Sequence, residues 1–189
     1  MTRTPSSMKE LGTAAPDFSL PDVVTGKQVS RQSVAGPKGM LAMFICRHCP
    51  FVKHVQGELA SIAREYAGSG VGIVAISAND ATSHPEDSPA KLADQAKVLD
   101  FNFPYLFDET QQVARAYDAR CTPDYFLYDG RGKLVYRGQL DDSRPGNDVP
   151  VTGRDLRAAL DAVVAGHAVS PEQRPSIGCN IKWRSTQER

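Results

Sequence analysis

The sequence predicts an α/β fold, a mixed central β-sheet flanked by helices. Three observations predict it. Two uninterrupted apolar runs, residues 39–45 and 71–76, enclose a segment of helical periodicity, as in a βαβ unit whose parallel strands are buried on both faces. Residues 124–128 and 133–137 are strand-like and flank Asp129-Gly130-Arg131-Gly132, the signal of an antiparallel hairpin. Leu156, Leu160, Val163 and Val164 then line one face of a last helix. A chain of 189 residues, 41% of them hydrophobic, suits one domain with a substantial core. That single domain is expected over residues 1–189, with its core at about 15–167 and a looser tail at 168–189.

Taken in order, residues 15–29 carry Pro16, Pro21 and Gly26 between short apolar stretches, which suits an N-terminal β-hairpin. The run 39–45 has no polar residue to face solvent, so it belongs at the centre of the sheet. Val52, Val55, Leu59, Ile62, Ala63 and Tyr66 recur at helical spacing up to Gly68, and Pro50 fits the first turn, where its missing N–H leaves nothing unpaired. Right-handed crossover geometry lays 71–76 parallel to 39–45. Ser88-Pro89 offers a helix start ahead of Leu92, Ala96 and Leu99. A short strand at 105–107 and a helix at about 109–117 follow, so residues 80–107 form an insertion before the central helix. Thr152 is placed to cap the last helix, with Asp155 in its first turn.

Acidic and basic residues balance at 22 each, which argues against nucleic acid or an anionic membrane surface as partner. No segment approaches the ~18 apolar residues of a membrane span. Residues 1–12 lack the apolar stretch of a signal peptide, which predicts a cytoplasmic protein. The four cysteines, Cys46 and Cys49 together and Cys121 and Cys179 apart, are too few for a disulfide framework and favour redox chemistry.

A thiol attacks as thiolate, so a redox cysteine near its ordinary pKa of ~8.5 needs its anion stabilised. Cys46 and Cys49 fall between a buried strand and a helix start, where unpaired N–H groups and the helix dipole favour an anion. Two intervening residues let both sulfurs reach disulfide geometry. Arg47 and His48 stand beside them as modulating groups that can supply a cation or a hydrogen-bond donor. Cys-x-x-Cys is also half of many zinc sites, but no second close pair completes the set. Haem attachment requires a histidine where Pro50 stands. The chemistry needs no cofactor and no metal.

The motif Ile45-Cys46-Arg47-His48-Cys49-Pro50-Phe51-Val52-Lys53, with Cys121-Thr122-Pro123-Asp124 and Ser176-Ile177-Gly178-Cys179-Asn180-Ile181-Lys182-Trp183 downstream, resembles the peroxiredoxin-like group of the thioredoxin-like superfamily (AhpC-TSA-like redoxins). The resemblance spans residues 15–183 and implies a thioredoxin-like fold. It also implies a cis Thr122–Pro123 bond packed against the dithiol, with Thr122 and Pro123 as substrate-binding residues whose backbone receives an extended segment. The chain departs from thioredoxin at Ile45, where tryptophan is usual, and in 40–44, which carries no buried acid. It departs from true peroxiredoxins where Cys49 would be peroxidatic: Cys46, Ala42 and Pro123 replace their threonine, proline and arginine.

The first functional reading is a thiol-disulfide oxidoreductase in which Cys46 attacks a protein or small-molecule disulfide and Cys49 resolves the mixed disulfide, with an unidentified electron donor or acceptor closing the cycle. The second is a thiol peroxidase in which Cys49 attacks peroxide and Cys46 resolves the sulfenate. The third is a metal-binding or carrier module using the two cysteines and His48. Cys121 and Cys179 are possible accessory thiols: Cys121 is a small buried hydrophobe or a neighbour of the dithiol, and Cys179 a resolving thiol or a partner for Cys121. His54, His84 and His167 read as surface histidines, and 141–145 as a polar loop that is either a solvated connection or a partner contact.

Overall fold

The computed structural model describes residues 3–185. Along the chain, β1 (Arg3–Pro5), β2 (Ser19–Pro21) and β3 (Gln28–Ser30) precede the one-turn helix α1 (Arg31–Val34). The βαβ unit is β4 (Gly39–Phe44), α2 (Pro50–Glu65) and β5 (Val71–Ser77). A 3₁₀ turn at Pro85–Asp87, α3 (Pro89–Val98), β6 (Tyr105–Phe107) and α4 (Gln112–Tyr117) follow. Then come β7 (Cys121–Thr122), β8 (Asp124–Asp129), β9 (Leu134–Tyr136), α5 (Arg154–Ala165) and β10 (Ile177–Asn180).

The central sheet runs β6-β5-β4-β8-β9. β4 is parallel to β5, β5 to β6, and β8 is antiparallel to both β4 and β9. This is the mixed, thioredoxin-like sheet expected, with β2 and β3 paired as the N-terminal hairpin. Every residue of β4 is buried. Alternation splits its side chains between two apolar layers: Leu41 and Met43 pack with Val52, Val55 and Leu59 of α2 and Leu156 and Leu160 of α5. Met40, Ala42 and Phe44 pack on the other face with Ala114, Tyr117 and Phe126. Tyr117 lies 5.5 Å from the ring of Phe44 and 5.8 Å from that of Tyr128, tilted or edge-on, the arrangement ring quadrupoles favour. Burial at ~1.5–3 kcal/mol per large side chain on both faces holds β4 firmly, and the dithiol follows directly from its end.

Three local expectations are corrected. Residues 168–176 have no regular structure, but 177–180 form β10, which pairs antiparallel with β1 on one side and β7 on the other, so the supposed tail is an integral strand. The fourth helix begins at Gln112 rather than 109, because residues 108–111 form a turn in which the Asp108 carboxylate accepts the N–H of Ala114 at 2.8 Å. Thr152 is not the cap of α5: Gly153 takes that position with φ +62, a left-handed conformation that a β-branched residue resists. The first turn is satisfied from afar, since the Leu140 carbonyl accepts the N–H groups of Asp155 at 3.1 Å and Leu156 at 3.3 Å, while Asp141 Oδ2 holds the entry to the helix by accepting the N–H groups of Thr152 at 2.7 Å and Gly153 at 2.6 Å. The 141–145 loop is therefore no solvated connection at Asp141, which is buried. Among the described residues no helix is long and apolar enough to cross a membrane.

Candidate active site

Cys49 is the N-cap residue of α2, with extended backbone (φ −66, ψ 125) and Pro50 at the first helical position. The proline cannot donate a hydrogen bond, so the first-turn N–H directed at the Cys49 sulfur is that of Val52. Thr122–Pro123 is cis. Thr122 meets both sulfurs: its Oγ1 is 3.3 Å from Cys46 Sγ and its carbonyl oxygen 3.2 Å from Cys49 Sγ. Cys179 arrives on β10, its Sγ 2.8 Å from Cys49 Sγ. Cys121 is buried next to this group and bonds through Sγ to the Pro123 carbonyl at 3.5 Å. No disulfide joins the four cysteines.

The two thiols of the motif are unequal in acidity. Hydrogen bonding from the Cys46 thiol lowers the Cys49 pKa to about 5; burial opposes this, while the Cys179 thiol and the N–H groups of Val52 and Cys179 reinforce it. Burial raises the Cys46 pKa well above the ordinary range, helped by the bond to Cys49 and by the negative charge of Asp87. Cys179 is pushed up to about 12, by burial first and then by Cys49. Burial drives Cys121 higher still. The two shifts within the motif run in opposite directions, so ionisation is favoured at Cys49 and disfavoured at Cys46.

Arg47 and His48 do not reach the sulfurs as thiolate donors. Their backbone N–H groups donate to Asp87 Oδ1 at 2.8 and 3.0 Å, the His48 ring bonds to the other Asp87 oxygen, and the Arg47 guanidinium pairs with Glu86. Asp87 also accepts from Asn79 Nδ2 at 2.8 Å. It is fully buried. Burial works against its charge, but the bonds from His48 and Asn79 hold its pKa below the usual carboxylate value. Asp87 thus fixes the Cys46-to-Cys49 loop from the insertion, a role sequence reasoning missed; the only signal available was an acid two residues after Pro85 in a segment with no pattern.

Of the other histidines, His84 stacks on His48 at 5.1 Å, His54 bonds to Ser143 Oγ at 2.7 Å, and His167 is exposed. The stacked and bonded pair correct the expectation of three plain surface histidines. Cys46, His48 and Asp87 each offer a ligand atom within 4.8 Å of the others, which makes them the set among the described residues best placed to hold a metal. Two of them already spend those atoms on each other, the His48 Nδ1 on Asp87. A crevice beside Pro123 is lined by Phe51, His54, Ser143, Arg144 and Ile177.

The backbone edge of Thr122, expected to receive a substrate, is occupied by β10, with Cys179 opposite Thr122 and Asn180 opposite Cys121.

Over 98% of both chains, the protein is similar to an uncharacterized conserved protein from Geobacillus kaustophilus, at 53% identity and a TM-score of 0.97. A hypothetical protein from Sinorhizobium meliloti 1021 is 48% identical with a TM-score of 0.94, over 96% of this chain and 99% of that one. The thiol-disulfide oxidoreductase ResA of Halalkalibacterium halodurans is 27% identical over 129 residues, 68% of each chain. An oxidoreductase role in general agrees with the last of these relatives and with the thiol cluster. The model of the AhpC/TSA family matches residues 11–137, more than half the chain and all of the central sheet, and the protein therefore belongs to the AhpC/TSA family.

Proposed function

We propose that the protein is a thiol-disulfide oxidoreductase that cycles Cys46 and Cys49 between dithiol and disulfide. The observation that carries this reading is geometric: the two buried sulfurs of the motif stand at the N-terminus of α2, Cys46 Sγ 3.3 Å from Thr122 Oγ1 and Cys49 Sγ 3.2 Å from the Thr122 carbonyl oxygen beside the cis Thr122–Pro123 bond, with the Cys49 pKa lowered and that of Cys46 raised. In the order this favours, the Cys49 thiolate attacks a substrate disulfide, one substrate thiolate leaves, and a mixed disulfide forms at Cys49. Cys46 then gives up its proton, attacks Cys49 Sγ, and releases the second substrate thiol. The order is the reverse of that expected from the motif alone. Both sulfurs are fully buried and the Thr122 edge is occupied, which favours a compact disulfide over an extended polypeptide as substrate. A separate donor of two electrons restores the dithiol.

Peroxide reduction is the second reading, favoured by the buried, acidic Cys49: a small oxidant reaches it, the thiolate takes one oxygen, and Cys46 displaces water from the sulfenate. The residues at 42, 46 and 123 lack the groups that activate peroxide in true peroxiredoxins. Titration of the full chain in glutathione redox buffer, with mass mapping after alkylation, tests the proposal. A reversible Cys46–Cys49 disulfide at a potential of roughly −120 to −270 mV, with peroxide consumed slowly, supports it. Fast peroxide consumption without reaction toward oxidised glutathione moves the second reading to the front.

A further inference from the structure

Three sulfurs, rather than two, converge on the N-terminus of α2. The third is delivered by the chain's own C-terminal strand in the manner of a substrate: β10 lies antiparallel on the Thr122 edge and sets Cys179 opposite Thr122. Its placement is tightly specified. A Cβ at Gly178 would stand 2.0 Å from the Thr122 carbonyl oxygen, so only glycine lets the strand approach this closely. Ser176 Oγ donates to the Pro123 carbonyl at 2.7 Å, and Arg3 of β1 pairs opposite Cys179 on the far edge. The result is the 2.8 Å contact between Cys179 Sγ and Cys49 Sγ, against ~2.05 Å in a disulfide bond.

We propose that β10 is an internal substrate mimic and that Cys179 is a third exchange thiol, competing with Cys46 for oxidised Cys49. This rests on the dithiol reading above. In the mixed disulfide between Cys49 and a substrate thiol, Cys179 Sγ attacks Cys49 Sγ. The Cys49–Cys179 bond forms, the bond from Cys49 to the substrate sulfur breaks, and the proton lost by Cys179 goes to the departing thiolate. Two protein thiols are oxidised, and the substrate disulfide is reduced to two thiols. Cys46 can then attack Cys49 in turn and return Cys179 to its thiol, so the disulfide passes between two positions without further oxidant. While the Cys49–Cys179 bond stands, β10 is tied across the Thr122 edge and keeps an extended substrate out.

The test treats the reduced full chain with oxidised glutathione, quenches with acid, alkylates, and maps disulfides by mass spectrometry in wild type, Cys46→Ser and Cys179→Ser, with circular dichroism to confirm that each is folded. In Cys46→Ser the proposal expects a Cys49–Cys179 disulfide with glutathione released. Wild type is expected to divide into two populations, one with the Cys46–Cys49 bond and one with the Cys49–Cys179 bond, and Cys179→Ser to show only the former. A glutathione adduct that persists on Cys49 in Cys46→Ser, beside a normal Cys46–Cys49 disulfide in wild type, overturns the inference and leaves the dithiol reading standing. Absence of any disulfide at Cys49 in all three proteins overturns both. Should Cys179→Ser fail to fold, the wild-type and Cys46→Ser maps decide the matter.

Discussion

Replacing Cys46 by alanine tests the origin of the Cys49 acidity. A pKa of about 5 at Cys49, against ~8.5 for an ordinary cysteine, corresponds to about 5 kcal/mol of thiolate stabilisation at ~1.36 kcal/mol per pKa unit. The largest contribution is the hydrogen bond from the Cys46 thiol, and burial works in the opposite direction. A hydrogen bond to a charged acceptor is worth roughly 1.5–3 kcal/mol, so Cys46→Ala is expected to raise the Cys49 midpoint by about one to two pH units. Ultraviolet absorbance of the thiolate, followed over about pH 4 to 9, reads this without requiring a reagent to enter the site. The first step belongs to Cys49, because Cys46, Cys121 and Cys179 are all held higher. Cys46→Ser keeps an O–H donor and should fall between wild type and alanine. A wild-type midpoint at an ordinary cysteine value, or one that does not move in Cys46→Ala, refutes the reasoning.

Asp87→Ala removes the acceptor for two backbone N–H groups, the His48 ring and Asn79. Leaving a buried donor without its acceptor costs about 1–3 kcal/mol, so urea unfolding should show a lower midpoint at an unchanged slope. Because its pKa is depressed, the stability Asp87 contributes is fully present above about pH 4 and fades as pH falls through its native value. Asp124 behaves oppositely: burial raises its pKa to about 7, so the native state keeps a proton that the unfolded chain releases. Its contribution is present below about pH 4 and lost as pH rises to about 7, at most about 4 kcal/mol in all. Asp124→Asn should remove that slope, and the difference between its stability and that of wild type from acid to neutral pH measures it; parallel curves would contradict the assignment.

The sequence by itself determined the elements whose pattern is local. The βαβ unit and the β8–β9 hairpin were legible because strand and helix burial impose periods of 2 and 3.6 residues on contiguous stretches. The placement of Cys46 and Cys49 between β4 and α2 followed from the same pattern with Pro50 as punctuation, and the cis Thr122–Pro123 bond from the resemblance of its motif. Tertiary structure alone decided what depends on residues far apart in the chain. Asp87, about forty residues from His48, leaves no periodic trace, yet its carboxylate holds the dithiol loop and biases the charge away from Cys46. The Leu140 carbonyl satisfies the first-turn N–H groups of α5 and Asp141 holds the chain entering it, a task that local sequence assigned to Thr152. Segment 177–180 is too short and too interrupted by glycine to announce a strand. Only pairing with β1 and β7 makes it one and brings Cys179 onto Cys49. Which thiol is acidic was likewise beyond the motif, because a pKa is set by burial, charge and hydrogen bonds that the fold assembles around each sulfur.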